Sequence, residues 1–234
     1  MYDESTGTFF LRNTNSPGGA DSQFQYGAVG QGWIQVFGDW DGNGTVTVGM
    51  YDPKTSTFFL RNQNSGGNAD PNLTFQFLPI SANAGEGFIP LAGDWLHQGF
   101  DTIALFDPTA GIFYFRYANS AGAANTAAQF GPAGAGWYPV VADWNGDGFD
   151  TIGLIDWTDS EFFLKNSIAS GNADLAFVFG AADTGWLPLV GDWDGDVFGT
   201  IGLYDPASTN FYLRNSNSSG GADLAFVYGP TGPN

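Results

Sequence analysis

The chain has 234 residues, 43% of them hydrophobic and 17% aromatic but only 13% charged, which is ample apolar material for a packed core and far from a disordered composition. A formal net charge of -18 gives a surface that repels nucleic acid and anionic membranes and leaves cations as the natural small partners. There are no cysteines to form disulfides, and no apolar run approaches the ~20 residues of a membrane span.

Thirty-five glycines and the lack of long helix-favouring runs predict many short strands joined by tight turns, an all-β fold. Met1 is followed by Tyr2-Asp3-Glu4, with neither a basic n-region nor an apolar h-region. An extracellular protein would carry its export signal outside this stretch.

In chain order, a repeated unit starts at Tyr2-Asp3, Tyr51-Asp52, Phe106-Asp107, Ile155-Asp156 and Tyr204-Asp205, with steps of 49, 55, 49 and 49 residues. Residues 1–234 therefore form one repeat domain. Each start ends a second strand and precedes an aromatic third strand, at 8–13, 57–62, 112–117, 161–166 and 210–215. Polar Asn/Ser/Gly loops lead to a fourth strand, as at 224–228. First strands follow at 33–37, 88–92, 137–141 and 186–190. Four strands at this period predict a β-propeller of about five four-stranded antiparallel blades. Pro90, Pro139 and Pro188 suit innermost strands, because proline cannot donate to a ladder and the innermost strand is an edge.

The last unit stops 31 residues in, 18 short of the period, and what it lacks is a first strand and the loop after it. One blade is thus expected to lack its innermost strand. A three-stranded blade, a longer protein, or a strand donated by a neighbour would each account for this.

Arg12, Arg61, Arg116, Lys165 and Arg214 share one repeat position, and Asp3, Asp52, Asp107, Asp156 and Asp205 another. The expectation is one internal ion pair, or one clamp onto loop carbonyls, per unit. Paired aromatics such as Phe58-Phe59 and Phe162-Phe163 point to both faces of a strand that is covered on both sides. Trp33, Phe88, Trp137 and Trp186, with the loop residues Trp40, Trp95, Trp144 and Trp193, serve either blade packing or the stacking of sugar faces. Trp157 and Tyr117 depart from the repeat, replacing proline and asparagine, and are candidate ligand contacts for that reason.

After each first strand comes an acidic loop: Gly38-Asp39-Trp40-Asp41-Gly42-Asn43, Ala142-Asp143-Trp144-Asn145-Gly146-Asp147, Gly191-Asp192-Trp193-Asp194-Gly195-Asp196 and the altered Gly93-Asp94-Trp95-Leu96-His97-Gln98. Oxygen ligands at alternate positions around a glycine turn suit Ca²⁺, which takes 6 to 8 oxygens. Two sets look complete: Asp39, Asp41, Asn43, Thr45 and Thr47, and Asp143, Asn145, Asp147, Phe149 and Thr151. A third, Asp192, Asp194 and Asp196, has Val197 where the others have glycine. The Asp94 loop has lost its ligands, and His97 is expected to be an exposed spectator. Without metal the same residues would form Asx-turns capping a hairpin.

At these residues the chain resembles the FG-GAP/VCBS-type repeats of integrin-like and bacterial extracellular β-propellers. The resemblance implies Ca²⁺ held in two to three loops joining the first two strands of a blade. It also implies a cell-surface or secreted role, with carbohydrate binding in lectin-like members and adhesion in others. Family members often have an acid at the ninth loop position, where this chain has Thr47, Thr151 and Thr200.

These observations lead to a non-catalytic extracellular propeller, stabilised by Ca²⁺, that binds a glycan or a cell-surface partner. Neither nucleic acid nor membrane insertion is expected. Two alternatives remain: a subunit of a filament or tandem array, self-associating by strand exchange at the incomplete blade, and a glycosidase-like propeller with a paired acid and base in a pocket.

Overall fold

The computed structural model describes residues 1–78 and 87–229, and these form five antiparallel sheets. The first sheet holds β1 (Tyr2–Asp3), β2 (Thr8–Leu11) and β3 (Ser22–Gln25). The second holds β4 (Ile34–Gly38), β5 (Thr47–Asp52), β6 (Thr57–Leu60) and β7 (Thr74–Gln76). The third runs through β8 (Ile89–Gly93), β9 (Thr102–Asp107), β10 (Ile112–Phe115) and β11 (Thr126–Gln129). The fourth comprises β12 (Tyr138–Ala142), β13 (Thr151–Asp156), β14 (Glu161–Leu164) and β15 (Leu175–Val178). The fifth comprises β16 (Leu187–Gly191), β17 (Thr200–Asp205), β18 (Asn210–Leu213) and β19 (Leu224–Val227).

Within every sheet the strands follow chain order, so each blade is a meander. β8 lies beside both β4 and β12, and β12 beside β16, so the first strands line the axis of a propeller. The proline-bearing strands are these innermost edges, as the missing N–H requires.

The second strands are the most deeply buried elements, with five consecutive buried residues in β5, β9 and β13. Covered on both faces, they read as continuous apolar runs such as Thr-Ile-Gly-Leu-Ile. The cores form between blades, each sheet lending one face to its successor. Tyr51, Phe58 and Phe75 of the second blade pack with Ile103 and Leu105 of the third. Phe113 and Phe115 of the third pack with Ile152 and Leu154 of the fourth, and Phe162 and Phe177 of the fourth with Ile201 and Leu203 of the fifth.

The ring closes within the chain. In four of the five blades a glycine after the outermost strand seats against a side chain at the second-strand position of the next blade; the second blade has Leu78 there, at φ 71°. A Cβ at Gly27, Gly131 or Gly180 would meet Met50, Leu154 or Leu203 at 2.8, 2.3 and 2.2 Å. Gly229 of the fifth blade sits in the same way on Met1, at 2.3 Å, and a parallel bridge joins Gly18 to Tyr228. The first blade therefore occupies its proper place with three strands.

The cations are clamps onto loop carbonyls. Arg214 donates from Nε to Ser218 O (2.6 Å), from Nη1 to Gly221 O (2.5 Å) and from Nη2 to Ser219 O (2.9 Å). Arg12 and Arg116 bind their own loops in the same manner. The acids at the unit starts are not their partners. Asp3, Asp52, Asp107, Asp156 and Asp205 cap the turn that follows, as when Asp52 accepts from Lys54 N (3.0 Å) and Thr55 Oγ1 (2.6 Å). Asp21 and Asp223 lie 3.8 and 3.9 Å from Arg12 and Arg214.

Candidate ligand grooves and acidic loops

Side-chain alternation in the aromatic third strands builds a groove at the blade junctions. In β14, Phe162 is fully buried against the fifth blade, while Phe163 faces the other way. Trp137, just ahead of β12, lies flat on Phe163, with ring centroids 4.6 Å apart and planes 4° off parallel. This stack floors a cavity of about 670 Å³ between the third and fourth blades. One wall is Gln129, Phe130, Gly131 and Pro132; the other is the loop 170–173 with Ala176. Two hydrogen bonds tie the walls together: Gln129 N donates to the Ser170 side-chain Oγ (2.9 Å) and Gly171 N to Gln129 O (3.3 Å).

The repeat makes the groove more than once. Between the first and second blades Trp33 stacks on Phe59 at 4.4 Å and 8°, flooring about 420 Å³ bounded by Tyr26, Gly67 and Asn68. Trp186 stacks on Tyr212 at 4.8 Å and 12°. Phe88 and Tyr114 are tilted by 55° at 6.1 Å, so the junction of the second and third blades lacks a flat platform. A flat aromatic floor with a polar loop rim can stack an apolar sugar face while the rim bonds hydroxyls.

The acidic loops share one geometry. Asp39 accepts at Oδ1 from Gly42 N (3.0 Å) and Asn43 N (3.1 Å), and at Oδ2 from Gly44 N (2.7 Å). Asp143 and Asp192 repeat the pattern, and Asp94 keeps it in the altered loop by accepting from Gln98 N (2.7 Å) and Gly99 N (2.6 Å). The first aspartate is thus the hub of an Asx-type cap whether or not acids follow it.

Beyond the hub the three loops differ. Asp192, Asp194 and Asp196 bring carboxylate oxygens within 4.8 Å of one another. This is the set with Val197 in place of glycine, and Val197 takes a positive φ of 75° there. Side chains bond within every loop: in the fifth blade Asp196 accepts from Phe198 N (3.0 Å), and the other two make more such bonds. Asp41 accepts from Asn43 N (3.3 Å) and Asn43 from Thr45 N (2.8 Å); Asn145 donates to Asp147 Oδ2 (2.9 Å), and Asp147 accepts from Phe149 N (3.0 Å). The ninth-position threonines are buried, and Thr47 and Thr151 donate to Gly38 O (3.2 Å) and Ala142 O (3.3 Å) across the hairpin.

Sequence reasoning missed how the loops latch to each other. Asp101 accepts Asp39 N from the preceding blade at 2.7 Å, and Asp150 accepts Asp94 N at 2.8 Å. Burial, reinforced by neighbouring aspartates, raises both carboxyls, that of Asp101 to about 7. His97 is a latch as well: its Nδ1 lies 2.7 Å from Gly148 O of the next blade. Only the chain separation, 56 residues for Asp94 and Asp150, hid these contacts from the sequence.

Neither departure from the repeat lines the two grooves described. Trp157 packs on the core between the fourth and fifth blades, 6.4 Å from Tyr138. Tyr117 packs beside Phe115 and Phe130, its N–H donating to Asn125 Oδ1 (3.0 Å). The Gln129 wall and the 170–173 rim were not singled out by sequence. Their regular recurrence was the available signal, hidden because residues some 41 positions apart build one groove.

These features define a five-bladed β-propeller with aromatic grooves at its blade junctions. No protein-family profile matches the sequence, and no curated protein matches it significantly. Among solved structures the chain is similar to a lectin of Agrocybe aegerita, described for its specific recognition of non-reducing terminal N-acetylglucosamine. The identity is 18% and the TM-score 0.50, over 79% of this chain and 49% of the lectin. The chain thus spans about half the length of that lectin, and the likeness is one of fold.

Proposed function

We propose that this protein is a non-catalytic carbohydrate-binding propeller, using the grooves floored by Trp137 on Phe163 and by Trp33 on Phe59. The observation that carries the reading is the flat Trp137–Phe163 platform beneath a 670 Å³ groove rimmed by exposed polar residues. The lectin neighbour supports it at the level of fold. The lining of that groove contains no carboxylate, which counts against the paired acid and base of a glycosidase.

The proposal includes Ca²⁺ as a stabiliser in the acidic loops, with Asp192, Asp194 and Asp196 the best-gathered ligand set. It also includes an extracellular or cell-surface setting, consistent with FG-GAP/VCBS-type repeats. A cell-surface protein bearing such glycans would be the partner.

The test is a glycan array followed by calorimetric titration, with terminal N-acetylglucosamine among the probes. Binding should be lost in a Trp33→Ala/Trp137→Ala double variant and kept in Trp157→Ala. Absence of saccharide binding, or binding indifferent to the double variant, refutes the groove. Ca²⁺ is tested separately by thermal melting, since an ion that binds only the folded state raises Tm with its concentration. An unchanged Tm between chelator and millimolar Ca²⁺ would remove the metal from the proposal.

A further inference from the structure

The loops between third and fourth strands fall into two classes. Gly67 and Gly171 hold φ +130°, whereas Gly18, Gly122 and Gly220, at the same repeat position, hold +148°, +149° and +152°. The next residue is asparagine only in the first class: Asn68 and Asn172, against Gly19, Ala123 and Gly221. In every blade the backbone carbonyl of that residue is clamped. Arg61 donates to Asn68 O and Lys165 Nζ to Asn172 O (3.1 Å), as Arg12, Arg116 and Arg214 donate to Gly19 O, Ala123 O and Gly221 O. The clamp fixes the backbone and leaves the asparagine side chains unengaged.

The asparagine loops coincide with the two grooves. Asn68 lines the one floored by Trp33 on Phe59, and Asn172 the one floored by Trp137 on Phe163. Both asparagines are exposed, and neither amide has a hydrogen-bond partner among the described residues. Two other junctions each lack a component. Trp186 lies flat on Tyr212, but Gly221 stands at the asparagine position; Phe88 and Tyr114 are tilted by 55° and accompany Ala123. A flat ring by itself selects weakly among sugars. A primary amide, with one acceptor oxygen and two N–H donors, can bond a pair of neighbouring hydroxyls or an acetamido group. No charged side chain lines either groove, and the net charge of -18 disfavours an anionic ligand.

Resting on the carbohydrate reading above, we propose that Asn68 and Asn172 are the specificity-determining residues of two like sites for an uncharged saccharide unit. One site lies at the junction of the first and second blades, the other at the junction of the third and fourth. The junction of the second and third blades separates them, so one chain holds two glycan termini apart on a rigid ring. Linked sites of this kind bind a multivalent surface more tightly than either site binds a single sugar.

The test uses the full chain, with N-acetylglucosamine, galactose and mannose as neutral probes and glucuronic and sialic acids as charged ones. Calorimetry should give two neutral sugars per chain, falling to one in Trp33→Ala and one in Trp137→Ala. In the Trp33→Ala background, adding Asn172→Ala should weaken the remaining site by about 3- to 10-fold, the loss of one or two hydrogen bonds. Asn68→Ala should do the same in the Trp137→Ala background. Tm should hold level on adding either asparagine change, because Arg61 and Lys165 clamp backbone carbonyls. Albumin carrying many copies of the bound sugar should be precipitated by the unaltered chain and by neither single-tryptophan variant. Four results overturn the proposal while leaving carbohydrate binding in place: tryptophan-dependent binding that ignores both asparagine changes, one sugar per unaltered chain, preference for the charged sugars, or precipitation undiminished in the single-tryptophan variants. Failure of every sugar to bind overturns the carbohydrate reading as well.

Discussion

Replacing Lys165 by arginine tests how the groove rim is held. Lys165 is 8% exposed and donates from Nζ to Asn172 O at 3.1 Å, the one side-chain hydrogen bond described for it. Arg214, in the fifth blade, reaches its loop through Nε, Nη1 and Nη2. The fourth-blade loop has room for the guanidinium. Gly171 holds φ +130°, the same as Gly67 in the second-blade loop, where Arg61 binds Asn68 O and Ser65 Oγ. A Cβ at Gly171 would lie 3.9 Å from Nζ, while one at Gly220 would come within 2.6 Å of the Arg214 guanidinium.

A net hydrogen bond contributes about 0.5 to 1.5 kcal/mol, so one or two additional bonds give Lys165→Arg ~0.5 to 3 kcal/mol. In a chain of this size each kcal/mol moves Tm by about 2 to 4 °C. Thermal melting and urea unfolding should therefore show a rise of several degrees. Amide exchange in residues 168–173 should slow, because the new bonds fall on that loop. A Tm that falls or stays level, with exchange unchanged, refutes the claim that the arginine position works through loop carbonyls.

Three further outcomes follow from the geometry. Burial raises the Asp101 carboxyl to about 7, so the folded state holds that proton more tightly than the unfolded chain does; the stability is full below pH ~4 and is lost as pH rises through about 7. In chelator, Tm should fall between pH 5 and pH 8, and Asp101→Asn, which keeps an acceptor for Asp39 N, should flatten that fall; a Tm independent of pH contradicts it. Gly180→Ala places a Cβ 2.2 Å from Leu203 Cδ1 at φ +92° and should cost ~2 to 4 kcal/mol in urea unfolding, whereas Gly185→Ala, at φ +70° with nothing within 4 Å, should cost ~1 kcal/mol. Asp194→Asn/Asp196→Asn should abolish any Ca²⁺-dependent rise in Tm contributed by the fifth-blade loop while leaving its Asp192-centred cap intact, and circular dichroism would show the fold unchanged.

The blades were legible because their causes are local. Glycine and Asx turns mark every hairpin, and Phe162-Phe163 and its copies announce a strand covered on both faces. The three-stranded first blade followed from counting residues against the period. The grooves and latches were not legible, because they arise only when the sheets are set side by side. Asp150 shows the difference: it adjoins a loop of candidate metal ligands in sequence, yet its carboxylate closes onto the backbone of the blade before it. Trp137 could be read as packing or as a sugar platform, and the structure gives its ring both relations, stacked on Phe163 and lining the cavity.

The latches all reach back to the loop of the preceding blade. At the seventh and eighth loop positions the third, fourth and fifth blades carry Phe100-Asp101, Phe149-Asp150 and Phe198-Gly199, each set against the loop before it. Phe198 lies over Gly146, where a Cβ would meet its ring at 3.1 Å, and Gly199 N donates to Asp143 O (2.7 Å). The second blade has Thr45-Val46 at these positions, and Val46 is 59% exposed. Its predecessor is the blade with no acidic loop among the described residues, so there is nothing for a phenylalanine and a carboxylate to hold.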